Sequence, residues 1–479
     1  MALHIKTING SKYVYDVKSY RDKETKKVKK KTTYMGPLVN AETKEYAPKT
    51  RAVIAEKRAQ EAADNPKQVI SYGASFLLWE CLKKSPLMKA FLRVLPPYSD
   101  SFLAMLFYKI IDGSASWHAN TWLDGNFAKV LFPDANLDSQ RISEMLSRLG
   151  NENIQRAFFK SYIGEIAGAS GETVIDSTGL ENEINMPLTE YSGKDGSNQT
   201  RLIMVIDRVT HMPLYFRLVA GNIVDVSTLT TTFSLAKNFG LNPTMVIMDA
   251  GYYSSDNIKA LCKDKISFLS RLPKGRKLYN DVVLQTTETL ENPENIVIYN
   301  KRPLYIQKVK ADLYGYKGFA YVCMDIKEIG KNKANFIKTA KDDNLTNEEI
   351  SEKMPFVGKF VLVSNKELTP EELLPLYYAR QKAESVFGFA KTDLNLLPLR
   401  VHSVQNLKGY MFLSYLALLL SLEIQKKLYG VCTLQEALKL AGNQFCEVFE
   451  SNVIPLEPNR RLKEVYEHLR VVVVNDSGV

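Results

Sequence analysis

The sequence predicts an α/β protein with a mixed-sheet core split by a β-rich insertion, preceded by a basic β-hairpin and a helical N-terminal domain. Three observations carry this. From Gly171 onward, short apolar runs that read as buried strands alternate with amphipathic helical stretches, in the order strand, hairpin pair, helix, strand, helix, strand. Between about Lys274 and Val363 the runs NIVIYN, PLYIQKVKA, GFAYVCMDI and KFVLV change to strand periodicity, so this β-rich stretch interrupts the core before its last helix. Residues 12–36 hold KYVYDVKSY, the charged RDKETKKVKKK and the β-prone TTYMG, the pattern of a hairpin with a basic tip.

The 479 residues exceed one core and suggest about three globular domains. Texture divides them further into a hairpin module (1–48), a helical DNA-binding domain (49–168), a leading core segment (169–273), the insertion (274–363), a closing core segment with the glutamate helix (364–428) and a C-terminal helical segment (429–479). Apolar residues make up 45% and charged residues 24%, an ordinary globular balance. The net charge is +10, and residues 1–60 hold fifteen Lys or Arg against six Asp or Glu. That concentration points to a polyanion, nucleic acid before membrane, since no amphipathic apolar face accompanies the basic run. The five cysteines form no C-x-x-C pair and read as free thiols of a reducing cytoplasm. The N-terminus lacks an apolar signal region, and the run Met411 to Leu422 is shorter than the ~20 residues a bilayer needs, so a buried helix and a soluble, cytoplasmic protein are expected.

The elements follow in order. Helical periodicity covers Thr50 to about Ala63 and Ala74 to Val94, where Pro96-Pro97 breaks it. Asp138-Ser139 caps a helix with an apolar stripe of Ile142, Met145, Leu146 and Leu149, stopped by Gly150. Trp79, Trp117 and Trp122 are expected in the core. No helix-turn-helix signature stands out in this region, so a plain helical scaffold and a DNA-binding domain both remain open. ETVIDSTG is a strand ending in Asp176, followed by a polar loop to Thr200. RLIMVIDRVTHMPLYFRLVAGN is a hairpin turning at Asp207 to Met212. Asp225 to Asn238 is a helix, TMVIMDAGYYS a buried strand ending in Asp249, Ser255 to Lys263 a helix and ISFLSRLP a strand. An apolar helix covers 403–428, and the tail is polar.

The stretch Glu372 to Leu399 reads as one helix on which Tyr377, Arg380, Glu384 and Lys391 fall within an arc of roughly 60°. Alone, this stripe fits a solvated face with helical ion pairs better than a site. Asp176 and Asp249 add weight to the site. Each closes a buried strand run, so both carboxylates should leave one sheet edge, and a helix carrying Glu384 against that edge would bring three acids together. Crowded carboxylates call for cations, and oxygen ligands suit Mg²⁺ or Mn²⁺, two per site, acting on a phosphodiester. Asp207 reads as a turn residue and Asp225 as a helix N-cap. The five histidines share no cluster, which argues against a histidine mechanism.

Tyr377-x2-Arg380-x3-Glu384-x6-Lys391 resembles the Tyr/Arg/Glu/Lys signature of bacterial insertion-sequence transposases with an Asp-Asp-Glu core. Asp249-Ala250-Gly251-Tyr252 resembles their second-aspartate motif, VIDSTG their first, and the GN-x2-D of Gly221, Asn222 and Asp225 a stretch recurring in the same proteins. The resemblance spans about 170–400 and implies an RNase H-like (retroviral-integrase-like) core. It implies Asp176, Asp249 and Glu384 as metal-binding catalytic acids, with Tyr377, Arg380, Lys391, Arg271 and Lys274 on DNA. The implied partners are the terminal inverted repeats and target DNA, with a homodimer in the synaptic complex and no membrane. The best-described members stack an insertion tryptophan on a flipped base, and residues 274–363 contain none. Tyr305, Tyr314, Tyr316, Phe319 and Tyr321 are the aromatic substitutes, with cross-strand packing as their other reading. A domesticated DNA-binding protein and a stand-alone RNase H-like nuclease are the alternative functions.

Overall fold

A computed structural model of the protein describes residues 3–22, 27–47, 66–94, 99–193, 195–399, 401–450 and 452–472. The helix expected from Thr50, the Pro96-Pro97 break and the last residues of the tail lie outside these. The chain divides into two compact units, one built on Met1–Ser71 and Gln444–Glu457, the other on Tyr72–Asn443 and Pro458–Val472.

In the first unit, strands β1 (Leu3–Ile8), β2 (Ser11–Arg21), β3 (Val28–Asn40) and β4 (Glu45–Tyr46) form an antiparallel meander in that order. Asn9 and Gly10 both have positive φ, the conformation a two-residue hairpin turn demands. Tyr34 packs on Tyr13 and Tyr15 with ring centroids 5.9 and 5.3 Å away, and Val14 is fully buried. The expected hairpin is therefore present with one strand added on each side. Strand β5 (Gln68–Ser71) pairs with Phe445–Val448, which pairs in turn with Val453–Pro455.

The second unit is organised on a ten-stranded sheet. Its strands are β6 (Glu172–Glu181), β7 (Glu190–Ser192), β8 (Ser197–Asp207), β9 (Pro213–Ala220), β10 (Met245–Met248), β11 (Ser267–Arg271), β12 (Ile296–Tyr299), β13 (Arg302–Asp312), β14 (Lys317–Asp325) and β15 (Lys359–Ser364). Their order is β12-β13-β14-β15-β11-β10-β6-β8-β7, with β9 also on β8. Strands β6, β10 and β11 are mutually parallel, and the rest join antiparallel. Buried on both faces, the parallel strands carry the unbroken apolar runs that made them visible in the sequence. Strand β15 pairs with β11, so the strands of the expected insertion continue the core sheet. That stretch also contains helices at Lys277–Gln285, Ile329–Asp342 and Asn347–Lys353, which its strand-like runs did not announce.

Helices α1 (Gly73–Lys83), α2 (Leu87–Val94), α3 (Ser99–Ile111), α4 (Ser139–Leu149) and α5 (Glu152–Ser161) precede the sheet and belong to the same compact unit. The helix α4 buries Ile142, Met145, Leu146 and Leu149, as its periodicity requires. After the sheet come α6 (Pro370–Tyr378), α7 (Arg380–Thr392) and α8 (Val404–Lys427). By length and composition α8 is apolar enough to span a bilayer, yet here it is largely buried as a core helix. It crosses α4 at glycines: a Cβ on Gly409 would lie 1.8 Å from the Leu146 carbonyl oxygen, a contact no side chain permits. Trp79 packs edge-on against Phe132 and Trp122 against Tyr108, while Trp117 is 70% exposed, contrary to the expectation that all three are core.

Two further expectations are corrected. Strand β6 does not end at Asp176 but runs on to Glu181, because β8 pairs with it along its whole length, through Glu181 opposite Gln199. The expected single helix over Glu372–Leu399 is two, broken at Ala379, and the second ends at Thr392. Pro375 sits inside α6, where it has no N–H to give the helical ladder.

Candidate active site

The first two acids are set by strand register. Met248, the last residue of β10, lies beside Ile175 of β6, so Asp249 and Asp176 follow side by side at one edge of the sheet. Strand β10 stops there in a tight turn, Ala250–Tyr252, while β6 continues. The Ser177 N–H donates to Asp176 Oδ1 at 2.9 Å. Burial pushes the Asp176 carboxyl up to about 6, with Asp249 and Glu384 adding to the rise while the Ser177 N–H and Arg380 oppose it.

The third acid arrives on α7. Its apolar side, Ala383, Val386, Phe387 and Ala390, is buried, which turns Arg380 and Glu384 outward. The Arg380 guanidinium bridges two acids, with Nη1 3.6 Å from Asp249 Oδ2 and Nη2 3.1 Å from Glu384 Oε1. Asp176, Asp249, Glu384 and Arg380 thus meet across more than two hundred residues of sequence.

The other expected site residues divide. Lys391 donates to Thr178 Oγ1 at 2.7 Å and to the Gly179 carbonyl at 3.0 Å, tying α7 to β6 rather than facing outward to grip a phosphate. Tyr377, on the far side of the helix break, stacks on Phe360 with centroids 5.6 Å apart. The Arg271 guanidinium lies over the same Phe360 ring at 5.7 Å. Arg271, Lys274, Tyr377 and Arg380 share the wall of one cleft of about 320 Å³, so four of the five expected DNA-contacting residues come together. Of the aromatics proposed for stacking, Tyr321 is excluded: it is fully buried and its hydroxyl donates to the Leu368 carbonyl. Tyr314 and Tyr316 are exposed at the turn between β13 and β14.

Of the two aspartates set aside, Asp207 is the expected turn residue. It accepts the N–H groups of Val209, Thr210 and Ser170 and the Ser170 hydroxyl. Asp225 is not an N-cap: no helix N–H reaches its side chain. Its Oδ1 instead accepts from Ser177 Oγ at 2.5 Å and from Arg201 Nη1 at 3.0 Å. A Cβ on Gly251 would sit 3.1 Å from its other oxygen. Asp225 therefore packs beside Ser177, next to Asp176, and beside Gly251, two residues beyond Asp249. The only sequence signal for this role was the GN-x2-D pattern.

Among the described residues, no three His, Cys, Asp or Glu side chains are gathered into a ready metal cage, and Arg380 is the cation standing between Asp249 and Glu384. The donor chemistry nonetheless fits a hard divalent ion. It offers carboxylate oxygens alone, one of them on a desolvated Asp176 whose charge is costly until a cation offsets it.

A mixed sheet with acids on adjacent parallel strands, a third acid on a facing helix and a basic cleft alongside defines an α/β protein suited to a polyanionic substrate. The chain belongs to the transposase DDE domain family, whose model matches residues 168–420, more than half of its length. Membership makes it a DDE-type transposase, a class that cuts and transesterifies phosphodiesters and uses divalent metal ions. Among solved structures, the piggyBac transposase synaptic complex with hairpin DNA is similar at 9% identity and a TM-score of 0.43, over 77% of this chain and 79% of that one. No curated protein matches the chain.

Proposed function

We propose that the protein is the transposase of a bacterial insertion sequence. It binds the terminal inverted repeats of its own element as a homodimer, cleaves the ends and joins the freed 3′ ends to target DNA. The reading rests above all on Arg380, which holds Asp249 and Glu384 together beside the half-buried Asp176. The strand order β9-β8-β6-β10-β11, three parallel strands flanked by an antiparallel pair, supports an RNase H-like core.

In this proposal Asp176, Asp249 and Glu384 would hold two Mg²⁺ or Mn²⁺ ions, and these would supply activation of a water or 3′-hydroxyl and stabilisation of the departing oxygen. The chain's own groups position the substrate. The guanidinium of Arg380 offers a planar fork matched to a phosphate, and Arg271 and Lys274 extend the positive wall along the cleft. Tyr377, stacked on Phe360, keeps that wall rigid. Lys391 fixes α7 to β6, and with it the distance from Glu384 to Asp176. The site of action is the cytoplasm, at the nucleoid.

The test is cleavage of an end duplex in Mg²⁺ by D176A, D249A and E384A. Loss of cleavage with end binding retained supports the proposal, and full cleavage by all three variants overturns it. Imperfect inverted repeats in the DNA flanking the reading frame would be the matching genetic observation.

A further inference from the structure

The β2–β3 hairpin outgrows its sheet. Strand β1 pairs with β2 only over Ser11–Asp16, and β4 meets β3 only at Leu38 and Asn40. Beyond Asp16 and Thr33 the two strands continue as a bare ribbon, Val17–Arg21 against Val28–Thr32, with no third strand among the described residues. Five residue pairs at ~3.3 Å each make an arm of roughly 17 Å. Every residue in Lys18–Arg21 and Val28–Thr33 is exposed, so neither face of the arm packs on a core.

The charge on this arm works against its own stability. Lys18 stands directly opposite Lys31, and Lys30 and Lys29 flank them on β3. Like charges directly opposed across a strand pair are destabilising, and a two-stranded ribbon without a packed face is marginal in water. Asp16 lies 3.8 Å from Lys18, and Asp22 pairs with Lys29. Lys30 and Lys31 have no ion pair among the described residues. Because opposed residues share a face, Lys18, Lys29, Lys31 and the exposed ring of Tyr20 lie on one side and Lys30 on the other. Both faces of the ribbon are therefore basic.

We infer that this arm is a DNA-reading element that inserts into the major groove of duplex DNA. The major groove, ~12 Å wide and ~8.5 Å deep, admits a two-stranded β-ribbon. A ribbon seated there has phosphates along both flanks, which accounts for lysines on both faces and relieves the Lys18–Lys31 repulsion. Lysines also serve on exposed strands simply to block edge-to-edge pairing, and that role makes no contact with DNA. The inference rests on the transposase reading for the identity of the duplex, the end of the element.

The experiment is a salt titration of full-length protein binding to an end duplex, followed by fluorescence anisotropy. Each phosphate contact contributes about 0.9 to the slope of log K against log salt. The K18Q/K30Q/K31Q variant is expected to have a slope shallower by about 2 to 3 and to lose interference from guanine N7 methylation, a major-groove mark. The K18R/K30R/K31R variant keeps the charge and is expected to retain the wild-type slope. A glutamine triple variant with unchanged slope, or interference confined to minor-groove adenine N3, overturns the arm's role. If wild type binds and cleaves the ends while the glutamine triple matches it, the arm inference alone fails. If wild type binds no duplex, the transposase reading fails with it.

Discussion

The hydroxyl of Ser177 donates to Asp225 at 2.5 Å, while the backbone N–H of the same serine donates to Asp176 at 2.9 Å, so one residue carries the position of Asp225 to the first acid. Because Asp225 also abuts Gly251, two residues beyond Asp249, it lies against the segments that follow both aspartates. We expect S177A, which removes the hydroxyl and leaves the Asp225–Arg201 pair intact, to slow single-turnover cleavage about tenfold with end affinity unchanged. D225A should cost more, about 10²-fold, the scale at which small misplacements of reacting groups are felt. It should also lower thermal stability, since Arg201, only 8% exposed, loses a buried partner. Wild-type cleavage by both variants would remove Asp225 from any positioning role.

Arg380 stands where a cation between Asp249 and Glu384 would stand, so the guanidinium and a metal ion compete for the same oxygens. In the absence of DNA, R380A should therefore bind Mn²⁺ more tightly, by about three- to tenfold, when free Mn²⁺ is followed by electron paramagnetic resonance. Cleavage should fall at the same time, because the fork that receives the phosphate is gone. R380K should rescue cleavage poorly, since an ammonium does not reproduce a planar bidentate donor. Weaker Mn²⁺ binding by R380A would show that the arginine organises the acids rather than competing for them.

Much of this site was legible from residue order, for a physical reason. Strands buried on both faces must be apolar throughout, so the first carboxylate after such a run marks where the buried stretch stops; for Asp249 that is also the end of its strand, and Asp176 lies beside it in register although β6 continues. The face of α7 was legible because its buried alanines, Val386 and Phe387 leave Arg380 and Glu384 on the other side. What escaped depends on partners distant in sequence. The continuation of β6 through Ser177–Gly179 looks like a loop until β8 is laid beside it, with the Gln199 side-chain amide resting where a Cβ of residue 179 would sit. Asp225 precedes a helix, which mimics a cap, and its real partners lie 48 and 24 residues away. The helix Ile329–Asp342 buries only Ala340, so it shows no apolar stripe.

The raised pKa of Asp176 has a consequence for stability. Its folded value of about 6 exceeds the ordinary ~3.9 of an aspartate in an unfolded chain, so the folded state holds the proton across that interval. Stability therefore falls as pH rises from about 4 to 6 and stays lower above it. D176N cannot ionise and escapes this cost. In urea unfolding with chelator present, we expect D176N to exceed wild type at pH 7.5 by on the order of 1 to 3 kcal/mol, and the gap to close near pH 4. An asparagine variant no more stable than wild type at pH 7.5 would mean that Asp176 ionises without penalty.

Lysine and arginine residues near the acids divide into two kinds, and DNA binding separates them. Arg271 and Lys274 line the cleft, with no carboxylate paired to either among the described residues. Lys391 is held by Thr178 and Gly179, and burial lowers its pKa. If the cleft follows a DNA backbone, R271Q/K274Q should make the salt dependence of end binding shallower by about 1 to 2 and reduce affinity at moderate salt. The Phe360 ring under Arg271 keeps its place against Tyr377, so stability should change little. K391M should do the reverse. It leaves the salt slope at its wild-type value and lowers stability by about 1 to 2 kcal/mol, because the link from α7 to β6 is lost and the Gly179 carbonyl loses a donor. Its cleavage rate should fall while end affinity holds, since Glu384 is no longer fixed relative to Asp176. A shallower salt slope for K391M, with stability intact, would return Lys391 to the DNA-gripping role expected from the sequence and would make its contacts to β6 a resting position.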